Sequence, residues 1–128
     1  MNFLAEWVRL YVRHRDIFAK SIVGITETGD EILVKYRDRE RRYIIMPQIP
    51  GKPGVFDSDV VLVTLNTREN VKEVIKGWDN LIKSKSLSII FVNPADSHKW
   101  ILHPYTHDKI SERQALAPGL WSLFENAA

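Results

Sequence analysis

The chain has 128 residues, of which 45% are hydrophobic and 27% are charged, and its formal net charge is +2. This length and composition are typical of one globular domain, so we expect a single domain over residues 1–128. The absence of cysteine excludes disulfides, thiolate metal sites and a cysteine nucleophile, and no apolar run is long enough to cross a membrane. No secretory signal pattern opens the sequence, so we expect a cytoplasmic protein without membrane association.

The first predicted element is a helix over residues 2–19. Its apolar side chains recur at spacings of three, four and seven, which predicts one apolar face, while Arg9, Arg13 and His14 are available for another. The apolar set consists of Phe3, Trp7, Leu10, Tyr11 and Phe18.

Three strands are predicted next, over residues 21–26, 31–38 and 42–49. Gly29-Asp30 supplies the tight turn between the first two, and the third is expected to pair antiparallel with the second. Because proline cannot donate to a ladder, the third strand either lies at a sheet edge or ends at Pro47. The following segment, rich in proline and glycine, is predicted to be a loop.

A βαβ unit follows the loop. The runs "VVLVTL" (60–65) and "LSIIFV" (87–92) are typical of strands buried on both faces. Between them we predict an amphipathic helix with Asn66 as N-cap and Glu69 completing a capping box. Strand, helix and strand in this order predict a parallel pair with a right-handed crossover. The apolar face of the helix comprises Val71, Val74, Ile75, Trp78, Leu81 and Ile82.

The C-terminal third is predicted to add one strand and one helix. "KWILHPY" (99–105) forms the strand, ended by Pro104, and Ser111 with Gln114 is typical of a helix start. Pro118-Gly119 is expected to break the helical pattern before a last amphipathic turn. The complete order, α-β-β-β-β-α-β-β-α, predicts an α/β domain with a mixed sheet, or an α+β domain.

A helix, an antiparallel meander and a β-α-β crossover over residues 2–93 resemble the element order of the PD-(D/E)XK, or restriction-endonuclease-like, superfamily. The resemblance implies a restriction-endonuclease-like core in which carboxylates hold Mg²⁺ and the lysine of a Glu-x-Lys pair polarises the attacking water or phosphate. The strand expected to carry that pair has Val63, Thr64 and Leu65 at its centre. The resemblance therefore implies the fold without the usual active site, and we expect no cofactor.

An alternative retains a metal-dependent phosphodiesterase or nuclease with Mg²⁺ as its cofactor. Asp57 and Asp59, just before the strand at 60–65, take the place of the first acid in this alternative. Glu6 matches the acid that some members place in the first helix, and Glu31 is a further candidate.

Three of the four histidines lie within residues 98–109. His103 and His107 are four apart, a spacing that places two zinc ligands on one helical face. Pro104 argues against a continuous helix between them, and on a strand they would be about 13 Å apart. We therefore predict no metal site and expect backbone contacts at a turn, with a zinc site and general acid–base catalysis as alternatives.

Two basic stretches are candidates for nucleic-acid contacts. "RLYVRHR" (9–15) combines arginines with an aromatic ring, and "RDRERR" (37–42) interleaves arginines with two acids. The alternative is a solvated surface whose charges discourage edge-to-edge strand pairing. The candidate residues are Arg9, Arg13, Arg37, Arg39, Arg41 and Arg42.

The C-terminal segment is a candidate association surface if its apolar side chains are left uncovered. These are Leu120, Trp121, Leu123 and Phe124. The leading hypothesis is a non-catalytic, nuclease-like-fold module that binds nucleic acid through the arginines or a protein partner through this segment. A structural homodimer subunit is a further alternative.

Overall fold

A computed structural model of the chain describes residues 3–50, 54–56 and 58–127. A short 3₁₀ turn over Arg113–Ala115 precedes the last helix. In chain order the elements are α1 (Phe3–Arg15), β1 (Ile22–Thr28), β2 (Glu31–Tyr36), β3 (Glu40–Ile45), β4 (Val60–Leu65), α2 (Arg68–Lys76), α3 (Trp78–Leu81), β5 (Ser88–Val92), β6 (Lys99–Leu102), α4 (Pro104–Ile110) and α5 (Leu116–Asn126).

The six strands form one mixed sheet in the order β1-β2-β3-β4-β5-β6. β1, β2 and β3 are an antiparallel meander, β3, β4 and β5 run parallel, and β6 is antiparallel to β5. The predicted mixed α/β fold, the meander and the parallel β4–β5 pair are therefore confirmed. The sequence predicts two alternatives for β3, a position at the sheet edge or an end at Pro47. The second is found: β3 lies inside the sheet and ends before Pro47.

Helices cover both sides of the sheet because the central strands are apolar on both faces. Face B, the side covered by α2, α3, α4 and α5, holds Leu62, Ile89, Phe91, Trp100 and Leu102 in its core. Face A, the side covered by α1, is lined by Ile32, Val34, Tyr43, Ile45, Val61, Val63, Ile90 and Val92.

The predicted apolar face of α1 is only partly buried: Trp7 and Tyr11 pack against the edge of the face A core, while its other members are exposed. The fully buried side chains are Leu4, Ala5, Val8 and Val12, which follow a second helical stripe. Leu10 is 71% exposed and Phe18, beyond the end of the helix, is 97% exposed. Both stripes have helical spacing, and the one with the smaller side chains packs against the sheet, which periodicity alone does not distinguish.

The start of the central helix differs from the predicted capping box. Thr67 is the N-cap of α2, and its hydroxyl accepts from the Asn70 backbone N–H at 3.2 Å. The predicted cap, Asn66, instead bonds to Trp100 and to the backbone of α5. The single helix expected here is divided at Gly77 into α2 and α3.

Proline positions differ most from expectation in the C-terminal third. β6 ends at Leu102, and Pro104 begins α4 at a position where its missing N–H has no helical partner to lose. Pro118 likewise lies in the first turn of α5, so Pro118-Gly119 does not break that helix. The proposed helix start at Ser111 is not found; that residue ends α4.

The connection from β3 to β4 crosses face B and is held by one amide side chain. Ile49 is buried in the face B core. The side chain of Asn70, 2% exposed, accepts from the Ile49 N–H at 2.9 Å and donates to the carbonyls of Pro47 and Leu65, each at 2.8 Å. Among the described residues, no helix has both the length and the apolar character needed to span a bilayer.

Candidate nucleic-acid interface

Face A is only partly covered, and the uncovered part lies beside β6. Ile90 and Ile101 are paired in register on β5 and β6, yet Ile90 is 2% exposed and Ile101 is 39% exposed. The difference arises because α1 is the only helix on this face among the described residues and packs over β3 and β4. A groove therefore runs between the C-terminal half of α1 and the strand ends.

Two adjoining cavities of about 120 and 280 Å³ make up this groove. They share Arg15, Arg41 and Tyr43; Arg39 lines the smaller cavity and His103 the larger. We call them together the arginine groove. Its remaining lining residues are Tyr11, Val12, Asp16, Ala19, Ser21, Tyr36, Val61, Ser88, Ile90 and Ile101.

Arg15 reaches the groove from the last turn of α1. It continues the sheet-facing stripe of Leu4, Val8 and Val12 just beyond the part of the helix that packs on the sheet. Its guanidinium donates to the Tyr11 hydroxyl at 2.9 Å and lies 5.5 Å from the centre of the same ring. No carboxylate among the described residues forms an ion pair with Arg15, so its charge is available to a ligand.

Arg39 and Arg41 reach the groove from the turn before β3 and from β3 itself. Arg39 lies over the Tyr36 ring, 5.0 Å from its centre, and it has no carboxylate partner among the described residues. Arg41 forms an ion pair with Asp59 at 3.1 Å, and its guanidinium lies beside the Tyr43 hydroxyl. Arg41 is therefore held in place, whereas Arg15 and Arg39 rest on aromatic rings.

Tyr43 forms the buried wall between the two cavities. It is 1% exposed, and burial raises the pKa of its phenol to about 12, against the opposing effect of the Arg41 guanidinium. The hydroxyl is therefore neutral at physiological pH, and it positions Arg41 without adding a negative charge to the groove.

Asp16 is the one carboxylate among the described lining residues of the groove. Burial favours its neutral form, but the backbone N–H groups of Ser21 and Ile22 and the Ser21 hydroxyl donate to it at 2.8–3.0 Å, and together they hold its pKa below the ordinary value. These bonds tie the start of β1 to the end of α1. Asp16 and the ion-pair partner of Arg41, Asp59, are thus both engaged by the protein itself.

The predicted histidine pair separates into two environments. Nδ1 of His103 lies 2.9 Å from the Ser88 hydroxyl at the end of the groove. His107 packs edge-on against Trp78 on the other side of the sheet, with ring centres 5.7 Å apart. His98 pairs with Asp96 at 3.2 Å. Pro104 begins the helix that connects His103 and His107, but the two rings lie on different faces of the sheet.

The six arginines proposed from the sequence do not form one surface. Arg39 and Arg41 lie in the groove, while Arg9 bonds to Glu27 at 2.7 Å and Arg42 to Glu31 at 2.6 Å. The other two also lie outside the groove: Arg13 is exposed on α1, and Arg37 donates to the carbonyl of Lys20 at 3.0 Å.

The proposed acids are not brought together. Glu6 is exposed on α1, Asp59 is paired with Arg41, and Glu31 is paired with Arg42. Asp57 lies outside the described residues. Within residues 3–50, 54–56 and 58–127, no three His, Asp or Glu side chains are grouped so that they could hold a metal ion.

The C-terminal segment belongs largely to the core. Leu120 and Phe124 are buried against face B, Trp121 is half-buried, and only Leu123 is substantially exposed, at 39%. The condition for an association surface here is therefore met by Leu123 alone.

The carboxyl ends of β4 and β5, where ligands bind in many parallel sheets, are occupied by α5. Asn66 donates to the carbonyl of Phe124 at 3.3 Å and accepts from the Trp100 indole at 2.8 Å. Asn93 donates to the carbonyl of Ala127 at 3.1 Å. These bonds close that edge of the sheet, and the arginine groove lies at the opposite ends of the strands.

Sequence reasoning missed Arg15, Tyr36, Tyr43 and Ser88. A signal was present for Arg15, because it continues the stripe of Leu4, Val8 and Val12, and a cation on a sheet-facing stripe indicates an opening. The tyrosines gave no such signal, since aromatic residues on strands are common in cores.

Comparison of the chain with models of protein families, with curated proteins and with solved structures gave no match.

Proposed function

We propose that this protein is a binding module that holds a single-stranded nucleic acid by its phosphates in the arginine groove. The observation that carries the proposal is the convergence of Arg15, Arg39 and Arg41 from three parts of the chain on one concavity. Arg15 and Arg39 have no carboxylate partner among the described residues, whereas Arg9, Arg41, Arg42 and Arg113 are in ion pairs.

Phosphate is the ligand chemistry that this arrangement favours. The planar guanidinium donates two parallel hydrogen bonds to phosphate oxygens, and its charge remains at every physiological pH. The contacts of Arg15 with the Tyr11 ring and of Arg39 with the Tyr36 ring restrict both guanidinium groups before a ligand binds. Less rotamer freedom is then lost on binding.

A single strand fits the groove better than a duplex does. The cavities are recessed between α1 and the sheet and have volumes of about 120 and 280 Å³, which suit one nucleotide at a time. The guanidinium groups of Arg15 and Arg39, which lie over the Tyr11 and Tyr36 rings, offer surfaces on which a base can stack. The Ser88 and His103 pair offers polar contacts to a sugar or a phosphate.

A restriction-endonuclease-like relationship is part of the same proposal. It is supported by the order of α1, the antiparallel meander and the parallel strand that follows it. β4, the strand expected to carry the Glu-x-Lys pair, is buried from Val60 to Thr64 and has apolar side chains toward both faces. A chain of this kind would keep the nucleic-acid groove of such a fold without its metal-binding carboxylates.

Fluorescence anisotropy with labelled oligonucleotides tests the proposal. We expect the full-length protein to bind single-stranded RNA or DNA more tightly than a duplex of the same sequence. Arg15→Ala and Arg39→Ala should each weaken binding by roughly tenfold or more, because a hydrogen bond to a charged group contributes about 1.5–3 kcal/mol.

The matched control is Arg42→Ala, which removes the same charge from the Arg42–Glu31 pair outside the groove. It should change affinity by less than about twofold, in line with the small effect of one remote charge at physiological salt. Equal weakening by Arg42→Ala and Arg15→Ala, or unchanged binding by an Arg15→Ala/Arg39→Ala double variant, would show that the groove is not the site.

A further inference from the structure

The outward side of α1 carries a second apolar stripe, of which only Trp7 packs partly against the core of face A. Phe3 is 38% exposed, Leu10 71% and Ile17, just after the helix, 52%. Trp7 is half-buried and His14 is exposed between them. We call Phe3, Trp7, Leu10, His14 and Ile17 the outer stripe.

The outer stripe has the spacing of a helix-pairing seam. Its members are four, three, four and three residues apart, which is the a/d pattern of a coiled coil. The opposite side of the helix holds Leu4, Ala5, Val8 and Val12 and is already occupied by the sheet. α1 is therefore apolar on two sides, which is the pattern of a helix packed between two partners.

A cavity of about 570 Å³ lies beside the outer stripe, and it extends the apolar surface toward β6. Trp7, Leu10 and Ile17 line it, together with Ser97 and Lys99 from the segment that enters β6. Contiguous exposed apolar surface of this kind on a monomer indicates an interaction site.

We propose that the outer stripe binds a second copy of this chain, with the two α1 helices antiparallel. Charge decides the occupant and the direction. Glu6 and Arg13 flank the stripe on the same side, seven residues apart, and neither forms an ion pair with the described residues. In an antiparallel pair, Glu6 of each copy lies opposite Arg13 of the other, so two ion pairs form between the helices.

A parallel pair is disfavoured by the same charges. It would bring together two copies of the basic last turn, which contains Arg13, His14 and Arg15. It would also align the two helix dipoles, whereas an antiparallel pair opposes them. The outer stripe lies on the opposite side of α1 from the sheet-facing stripe that Arg15 continues. The two surfaces adjoin at Tyr11, but no member of the outer stripe lines the arginine groove.

Analytical ultracentrifugation of the full chain tests the proposal. The wild-type protein should reach twice its 14.8 kDa chain mass as concentration rises, and Leu10→Asp should remain at 14.8 kDa with an unchanged circular dichroism spectrum. Ile110→Asp is the matched control, because Ile110 is 81% exposed on α4, away from α1; it should dimerise like the wild type. A wild-type protein that is monomeric throughout, or a dimer unaffected by Leu10→Asp, would overturn the proposal.

The absence of cysteine from the sequence allows a direct test of direction. Leu10→Cys should form a disulfide-linked dimer on mild oxidation, because the two copies of residue 10 meet near the two-fold axis. Ile17→Cys should not, because seven residues from that axis the two copies are about 20 Å apart along the helices. Crosslinking of Ile17→Cys as readily as Leu10→Cys would contradict the antiparallel arrangement.

Binding of a monomeric protein to vesicles of anionic lipid would assign the outer stripe to a membrane surface instead of a second copy of the chain.

Discussion

The two faces of the sheet differ in how completely they are covered and in what their polar groups do. On face B, α2, α3, α4 and α5 bury the strands, and the polar side chains there, such as Asn66 and Asn70, bond to the protein's own backbone. On face A, a single helix leaves the strand ends open, and Arg15 and Arg39 remain without carboxylate partners among the described residues. We infer that face B supplies most of the stability, and we propose that face A supplies the binding surface.

The largest predicted effect lies in the core of face B. Phe91 is fully buried and stacks on Trp100 with ring centres 4.0 Å apart. Phe91→Ala should lower the free energy of unfolding by about 3–5 kcal/mol, measured by urea denaturation, because it leaves a large cavity. Ile101→Ala, at an open position of face A, should cost less than about 1.5 kcal/mol. Equal losses would contradict the division between the faces.

A pH-dependent loss of stability should originate on face A. The pKa of Tyr43 is raised from 10.0 to about 12, so the folded state favours the neutral phenol. Its stabilising contribution is complete below pH 10 and is lost as the pH rises through 12, with a total of roughly 2–3 kcal/mol. Unfolding free energies measured across this range should fall less steeply for Tyr43→Phe than for the wild type.

The control for this measurement is Tyr105→Phe. A hydrogen bond from Lys109 holds the pKa of Tyr105 below its ordinary value. Replacing Tyr105 should therefore leave the fall of the unfolding free energy between pH 10 and 12 as steep as in the wild type. Parallel wild-type and Tyr43→Phe curves would show that the Tyr43 phenol is not protected by burial.

Loss of one buried amide on face B should have the next largest effect. Asn70→Ala leaves the N–H of Ile49 and the carbonyl of Leu65 without their side-chain partner in a buried setting. We expect a cost of about 1–3 kcal/mol in unfolding free energy, measured by urea denaturation. Asn126→Ala, an exposed asparagine at the end of α5, should change stability by less than about 0.5 kcal/mol. A neutral Asn70→Ala would mean that the β3–β4 connection does not depend on this side chain.

The smallest effect on stability is expected in the groove itself. Arg15→Ala/Arg39→Ala should change the unfolding free energy by less than about 0.5 kcal/mol, because both side chains are exposed and lack carboxylate partners among the described residues. Thermal unfolding of the double variant beside the wild type measures this. A large loss would place these arginines in the framework of the fold, not in a binding site.

Strand identity was the most predictable part of the fold. The apolar runs at β4 and β5 are long, continuous and β-branched, and their parallel pairing follows from the helix between them. Proline was misinterpreted at positions 104 and 118, where it begins a helix. A proline that breaks a helix and one that starts it have the same local sequence signal, and the neighbouring packing decides between them.

The site was less predictable than the fold for a physical reason. Charge runs show where arginines are, but not which of them are paired; Arg9 and Arg42 are neutralised by Glu27 and Glu31, which are 18 and 11 residues away. Arg15 was passed over because α1 has two apolar stripes and the more aromatic one was taken as its apolar face. Which of the two stripes faces the sheet depends on how its side chains fit against the strands. Hydrophobic periodicity carries no information about that fit.

The salt dependence of binding tests the central claim most directly. Each arginine that neutralises a phosphate of a single strand contributes about 0.7 to the slope of log affinity against log salt concentration. Removing Arg15 and Arg39 together should therefore reduce the slope by about 1.4, while Arg42→Ala leaves it nearly unchanged. A slope that is the same for the wild type and the double variant, or that falls equally with Arg42→Ala, would contradict nucleic-acid binding in the arginine groove.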